Sequence, residues 1–226
     1  MLPTPGHTRD VVAFAAAVGT YHMLARLMRL WNQPLSRKLQ YCTFQWAKLK
    51  TRYIYSWRLR SCGEDSIVLR PLFWTPEGVS IGSNVLIWPG CRIEGIEAAA
   101  HISIGDGVTM QQNCHITAGG NLLIGAGSTI LFDVMITDVD HRYEEFGRRI
   151  IDQPVDVFST RIGCNCFIGS GARILAGTTL GESCVVGANA VVRGKFPAGA
   201  VIAGVPGRTV KQYDAAVRSW VKMEGT

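Results

Sequence analysis

The sequence predicts an all-β repeat, a parallel β-helix with helices before it and one after it. Three observations predict it. Apolar residues return every six positions, as Ile81, Ile87, Ile93, then Ile104, Met110, Ile116, then Ile124, Ile130, Ile136, then Ile162, Ile168, Ile174, then Leu180, Val186, Val192. Glycine follows many of them, as in Ile104-Gly105, Ile124-Gly125, Ile162-Gly163 and Leu180-Gly181. The hexads run unbroken inside each triplet, and the spacings between triplets are 11, 8, 26 and 6 residues. A hexad makes one short flat side, three sides close a coil, and coils stack at about 4.8 Å so that each backbone pairs with its neighbours. Insertions found only between triplets therefore collect at one corner of the prism, where a solenoid carries its binding function.

Composition sets the frame for these elements. A chain of 226 residues that is 47% hydrophobic and 18% charged is globular, and 25 glycines supply the tight corners a repeat needs. Seven cysteines show no paired framework spacing, which reads as reduced thiols in a cytoplasmic protein. The apolar stretch 11–18 follows Arg9 and Asp10 and is too short to span a bilayer, so neither cleavage nor spanning is expected of it.

Residues 1–66 form a basic amphipathic prelude. Between Val11 and Cys62 there is no Asp or Glu, while Arg26, Arg29, Arg37, Lys38, Lys48, Lys50, Arg52, Arg58 and Arg60 concentrate most of the net charge of +6. Helix formers with apolar residues three or four apart predict helices over 21–31 and 39–57, with a turn at 32–36 around Pro34. Trp31, Trp46 and Trp57 beside Arg and Lys suit an anionic membrane surface at the inner face of the membrane. The alternative is a helical pair packed on the main domain. No base-reading motif accompanies the charge, so nucleic acid is not the expected partner.

Residues 67–209 form the β-helix. Ile67, Phe73 and Val79 read as a degenerate first coil, and the segments 94–103, 117–123 and 137–161 project along one edge. Val85, Cys91, Cys114, Thr129, Cys166, Ala172 and Cys184 read as small corner residues, which assigns most of the cysteines to packing. A Cys164-x-Cys166 metal pair is the alternative, without a second pair at zinc-like spacing. Residues 210–226 are the C-terminal helix and tail, with an amphipathic helix expected over 209–223.

The hexads, the run Asp138-Val139-Asp140-His141, the block from Ile162 to Ser170 and the tail Ala203-Gly204-Val205-Pro206-Gly207-Arg208 together resemble the hexapeptide-repeat acyltransferases. The resemblance is to their branch of galactoside, maltose, nodulation-factor and exopolysaccharide sugar O-acetyltransferases, over residues 81–213. It implies a left-handed coil, a homotrimer with active sites between subunits, acetyl-CoA as co-substrate with no metal, and a sugar or glycoconjugate acceptor. Attack of a sugar hydroxyl on a thioester needs a base, and histidine titrates in the right range. The resemblance makes His141 that base, with Asp138 or Asp140 to orient the ring. It places Gln111, where the family has Asn, and Asn113 on the acceptor, with Tyr143 and Glu144 in the long loop as further contacts. For the coenzyme it implies Phe167 and Ser170 near the thioester, where the Ser170 N–H can face an oxyanion. Ala188 lines the pantetheine arm, and Arg193, Lys195, Arg208 and Lys211 are placed for the phosphates. An amino-sugar N-acetyltransferase is the runner-up. A zinc-dependent carbonic anhydrase through His101 and His115 is disfavoured because the His-x4-His pair is missing, and a scaffold without activity would bind no coenzyme.

Overall fold

A computed structural model describes residues 33–223, so the expected helix over 21–31 and the apolar stretch 11–18 lie outside the described residues. The chain divides into two units after Trp46. Helix α1, Leu35–Lys50, spans the division. It starts four residues before the expected Leu39, because the Pro34 carbonyl already accepts the N–H groups of Arg37 and Lys38 at 3.0 and 3.3 Å and proline suits a first helical turn. A wide turn, Thr51–Tyr55, follows. Its buried Thr51 hydroxyl donates to the Ala47 carbonyl and accepts the Val68 N–H, both at 2.8 Å, which pins the end of the helix to the first coil.

The rest of the second unit is the expected left-handed parallel β-helix, built from three sheets. The first side stacks Ser61–Cys62, Val79–Ile81, His101–Ile104, Asn121–Ile124, Arg161–Ile162, Thr179–Leu180 and Lys195–Phe196. The second stacks Ile67–Val68, Leu86–Ile87, Thr109–Met110, Thr129–Ile130, Phe167–Ile168, Val185–Val186 and Ala200–Ala203. The third stacks Phe73–Trp74, Arg92–Gly95, His115–Ala118, Met135–Thr137, Arg173–Ile174 and Val191–Val192. The stack opens at Ser61, one side earlier than the expected boundary at 67.

The hexad residues meet in register: Ile81, Ile104, Ile124, Ile162 and Leu180 are successive partners on the first side, and all are at most 2% exposed. The corner cysteines are structural. Cys91, Cys114, Cys166 and Cys184 are buried, and each S–H donates to a carbonyl of the next coil, at 3.0 to 3.2 Å. Thr129 is not a corner residue as expected. It lies in the strand, half-buried on the outer face, and Ser128 beside it is the buried one.

The C-terminal helix expected over 209–223 is not formed. Arg208–Asp214 pairs antiparallel with Ala200–Ala203, and Ser219–Lys222 pairs antiparallel with Arg208–Asp214. The last coil leaves an open strand edge with unpaired N–H and C=O groups, and that demand outweighs a local helical period in a segment containing Thr209, Val210 and Tyr213. Asp214 sets the turn by accepting the Ala216 N–H at 2.7 Å, and Arg218 takes the left-handed region with φ 51°.

Candidate active site

The longest insertion is an ordered β-hairpin at the corner between the third and first sides. The chain leaves the third side after Thr137, and Val139–His141 pairs antiparallel with Val155–Val157. Its root is tied down. Asp138 is 0% exposed and accepts the N–H groups of Gly119 and Gly120 at 2.6 and 3.0 Å. Glycine is needed at that position, since a Cβ on Gly119 would lie 2.8 Å from Val157 and 3.0 Å from Val139. Thr160, also buried, donates to the Thr137 carbonyl at 2.9 Å and accepts the Gly177 N–H at 3.1 Å.

His141 ends the first hairpin strand, opposite Val155, with its side chain exposed. Among the described residues nothing hydrogen-bonds its ring. The expected orienting carboxylates are committed elsewhere. Asp138 holds the glycine pair, and Asp140, on the opposite face of the strand from His141 because side chains alternate, pairs with Arg193. This corrects both Asp residues: they fix the strand that carries the histidine and do not contact the imidazole. Arg193, expected at the coenzyme phosphates, pairs through its half-exposed guanidinium with Asp140 at the corner beside the hairpin.

The hairpin tip is organised by Gln153, 6% exposed, whose amide donates to the Glu145 and Arg148 carbonyls at 3.2 Å and accepts the Glu145 N–H at 3.2 Å. Arg142 and Asp156 close the stem at 2.6 Å, and the Arg142 guanidinium holds the Asp156 carboxyl below its ordinary range. Tyr143 and Glu144 are exposed at the tip, where the Glu144 carboxylate accepts the Tyr143 N–H at 3.0 Å.

Most other expected site residues fall at a different corner, between the second and third sides. Backbone bonds from Asn113 to Pro89, Asp133 to Gln112, Gly171 to Phe132 and Asn189 to Ser170, at 2.9 to 3.2 Å, stack the apical residues in one column. Gln111 sits just before the apex, half-buried. Asn113 follows it in the left-handed region with φ 59°, with its side chain beside Gly90 of the previous coil, so it is a corner former and does not share a strand face with Gln111. Ser170 and Ala188 occupy the apex two and three coils on, and the Ser170 N–H has no hydrogen-bond partner among the described residues. Gln112 and Phe132, 54% exposed, share this column and were not expected; the apical position two residues after each second-side hexad residue was the available signal. Arg208 lies at the same corner opposite Ala203. Phe167 and Lys211 face outward on the second side, and Lys195 is on the first.

The third side joins the two corners and carries a cluster that the sequence did not disclose. Glu94, 7% exposed, contacts His115 Nε2 at 3.1 Å and Arg92 Nη2 at 2.7 Å, and the Thr117 hydroxyl lies 3.0 Å from the same His115 nitrogen. Burial, the largest single influence, pushes the Glu94 carboxyl up, but hydrogen bonds from His115 and Arg92 together outweigh it and hold it below its ordinary value. His101 lies 2.9 Å from the Ser80 hydroxyl, and burial followed by the Arg60 charge holds its ring below the usual imidazole value. Among the described residues no three His, Cys, Asp or Glu side chains converge as a metal would require.

Comparison with known proteins agrees with this architecture. Residues 159–194 match the bacterial transferase hexapeptide (six repeats) family. The chain is 30% identical over 182 residues to the putative lipopolysaccharide biosynthesis O-acetyl transferase WbbJ of Escherichia coli (strain K12), covering 77% of this chain and 89% of that one. It is 30% identical over 152 residues to galactoside O-acetyltransferase of the same organism, covering 67% of this chain and 63% of that one. The fold resembles that of AntD, an N-acyltransferase from Bacillus cereus, with a TM-score of 0.61 at 17% identity over 74% of this chain and 90% of that one. The chain belongs to the hexapeptide-repeat acyltransferases, in the branch that holds the sugar O-acetyltransferases.

Proposed function

We propose that the protein moves an acetyl group from acetyl-CoA to a sugar hydroxyl during polysaccharide or glycoconjugate biosynthesis, with His141 as general base. The observation that carries the residue assignment is the rooting of the His141 strand. Buried Asp138 and the Asp140–Arg193 pair fix the strand that leads into an exposed imidazole whose ring is left open to an acceptor. The imidazole takes the hydroxyl proton as the C–O bond forms and returns it to the departing thiolate. The unpartnered Ser170 N–H is suited to the oxyanion that develops at the thioester carbonyl.

His141 and the Gln111, Ser170, Ala188 and Arg208 column lie at two different corners of one prism. That separation supports a homotrimer in which the hairpin of one copy reaches the column of the next. The relatives named for lipopolysaccharide and colanic acid biosynthesis support a glycan acceptor. Among the described residues no helix is long and apolar enough to cross a membrane. Helix α1, with Arg37, Lys38 and Lys50 and no acid, suits peripheral contact with an anionic membrane surface at its inner face.

His141→Ala tests the reading, with an expected loss of about two to four decades in turnover and an unchanged melting temperature. Near-normal turnover in the folded variant would falsify the assignment. A screen of hydroxy and amino sugars with labelled acetyl-CoA identifies the acceptor, and transfer confined to amines would replace O- by N-acetylation.

A further inference from the structure

The first coil has no coil beneath it, which leaves a backbone donor without an acceptor at the corner between the first and second sides. Higher up that corner, the N–H groups of Asn84, Gly107, Gly127, Asn165, Ser183 and Gly199 each donate to a carbonyl of the preceding coil, at 2.8 to 2.9 Å. Asp65 is the equivalent residue of the first coil. The Glu64 carbonyl beside it accepts the Asn84 N–H, and Asp65 and Asn84 share the left-handed region, with φ 59° and 57°. Among the described residues the Asp65 N–H has no acceptor. An amide so placed takes its partner from water or from a ligand.

Asp65 lines a cavity of about 260 Å³ whose other wall is the chain leaving helix α1. Ala47, Thr51 and Tyr55 recur every four residues and face the core, the first two buried and the third packed against it. Lys48, Arg52 and Ser56 each follow one of them and so line the cavity along the flank. Thr51–Tyr55 is a single π-helical turn, closed by the Ser56 N–H on the Thr51 carbonyl at 2.9 Å. Such turns are rare and recur at functional sites. The facing wall is the corner itself, and it is held firmly. The Ser66 hydroxyl donates to the Gly82 carbonyl at 2.7 Å and accepts the Val85 N–H at 3.0 Å, and a Cβ on Gly63 would lie 2.4 Å from the Ser83 nitrogen.

Lys48, Arg52, Glu64 and Asp65 bring two charges of each sign to this cavity. Lys48 contacts the Asp65 carboxylate at 2.6 Å and holds it below its ordinary range, so that pair is compensated. Arg52 and Glu64 are not. Among the described residues neither forms an ion pair, and the Arg52 guanidinium lies only over the Tyr53 ring, at 5.7 Å. Burial pushes the Cys62 thiol up, so it adds no charge. A plain anion on Arg52 would meet the Glu64 and Asp65 carboxylates, and a plain cation on Glu64 would meet Lys48 and Arg52. A molecule carrying both signs satisfies both walls. We propose that this cavity binds a small zwitterion, with its oxyanion on the Arg52 guanidinium and the Asp65 N–H and its ammonium on the Glu64 carboxylate. The volume lies below the roughly 300–1,000 Å³ of sites for drug-sized ligands, which limits the occupant to the scale of an amino acid or an ethanolamine phosphate. The guanidinium fork fits a carboxylate or a phosphate alike. None of these residues takes part in acetyl transfer, so the inference stands apart from that reading.

Calorimetric titration of the full chain tests this, with glycine and O-phosphoethanolamine as zwitterions, acetate and inorganic phosphate as the matching plain anions, and ethylamine as the plain cation. One zwitterion is expected to bind about tenfold or more tightly than its plain anion and than ethylamine. Arg52→Ala should weaken it about tenfold, and Arg52→Lys, which keeps the charge without the fork, should retain part of the affinity. Glu64→Gln should weaken the zwitterion about tenfold while leaving the plain anion unchanged or tighter, because only the ammonium loses its partner. Both side chains are exposed, so the variants should melt with the wild type. A preference for glycine makes the occupant an amino acid, and a preference for O-phosphoethanolamine makes it an ethanolamine phosphate. Failure of the wild type to bind either zwitterion, equal affinity for a zwitterion and its plain anion, or wild-type affinity in both Arg52→Ala and Glu64→Gln overturns the site.

Discussion

The Asp138 carboxylate accepts the Gly119 N–H at 2.6 Å from a position with 0% exposure, across 19 residues of sequence. It is the hinge pin of the hairpin, because the residue three places on is His141. Asp138→Ala would leave the Gly119 and Gly120 N–H groups without their acceptor at a packed root. The expected cost is about 3 kcal/mol, a fall in melting temperature of roughly 6–12 °C for a chain of this size. Asp138→Asn keeps one acceptor and should lose about half as much. Thermal denaturation beside turnover separates the roles: a variant with unchanged melting and lost activity would return Asp138 to the imidazole.

Glycine after the hexad residue has a packing reason that can be tested directly. A Cβ on Gly163 would lie 2.6 Å from the Gly181 carbonyl carbon and oxygen, and one on Gly125 would lie 2.5 Å from the Gly163 carbonyl carbon. These are backbone contacts between stacked coils, so no side chain can rotate away. Gly163→Ala should cost about 3 kcal/mol, in the range of overpacking. Gly107 has φ 66° and nothing within 4 Å of a built Cβ. Gly107→Ala should therefore cost only about 1–2 kcal/mol, from the left-handed backbone alone. Urea denaturation midpoints of the two variants give the comparison.

The coils were legible because their inward rows repeat at a fixed period and the core tolerates only large aliphatic side chains there. His141 was legible through the Asp-x-Asp-His run. The partners of those two aspartates were not, since Gly119 and Arg193 lie 19 and 53 residues away and nothing local marks them. Glu94 and His115 are 21 residues apart, and the outward strand positions they occupy carry no periodic signal. The C-terminal segment departs from its local helical period for a related reason: its conformation answers the open edge of Ala200–Ala203, a long-range hydrogen-bonding demand that its own pattern does not contain.

The Glu94 cluster predicts a pH dependence with a definite sign. The Glu94 carboxyl is held below its ordinary value of 4.5, so its folded form binds fewer protons than its unfolded form in that region. It therefore contributes stability above the unfolded value, and that contribution is lost as pH falls through the lower folded value. His115, Arg92 and Thr117 face it, and removing the carboxylate charge deprives the first two of their partner. Denaturant midpoints of wild type and Glu94→Gln should differ by about 1 kcal/mol at pH 7 and converge below pH 4.5. A difference that persists at low pH would mean that Glu94 acts through packing and not charge.

Arg193 distinguishes two roles for one guanidinium. As a phosphate contact it would affect coenzyme binding; as the partner of Asp140 it steadies the strand that ends in His141. The pair is about half-exposed, 54% and 46% by side chain, so its effect on stability is small, about 0–1 kcal/mol. Its effect on turnover can be larger, because a small displacement of a general base is costly in rate. Arg193→Ala and Asp140→Ala should each lower kcat about tenfold with little change in the coenzyme KM. The double variant should be no worse than either single one, since both remove the same contact. A raised coenzyme KM in Arg193→Ala alone, with Asp140→Ala normal, would restore the phosphate role and leave the hairpin held by its Asp138 root.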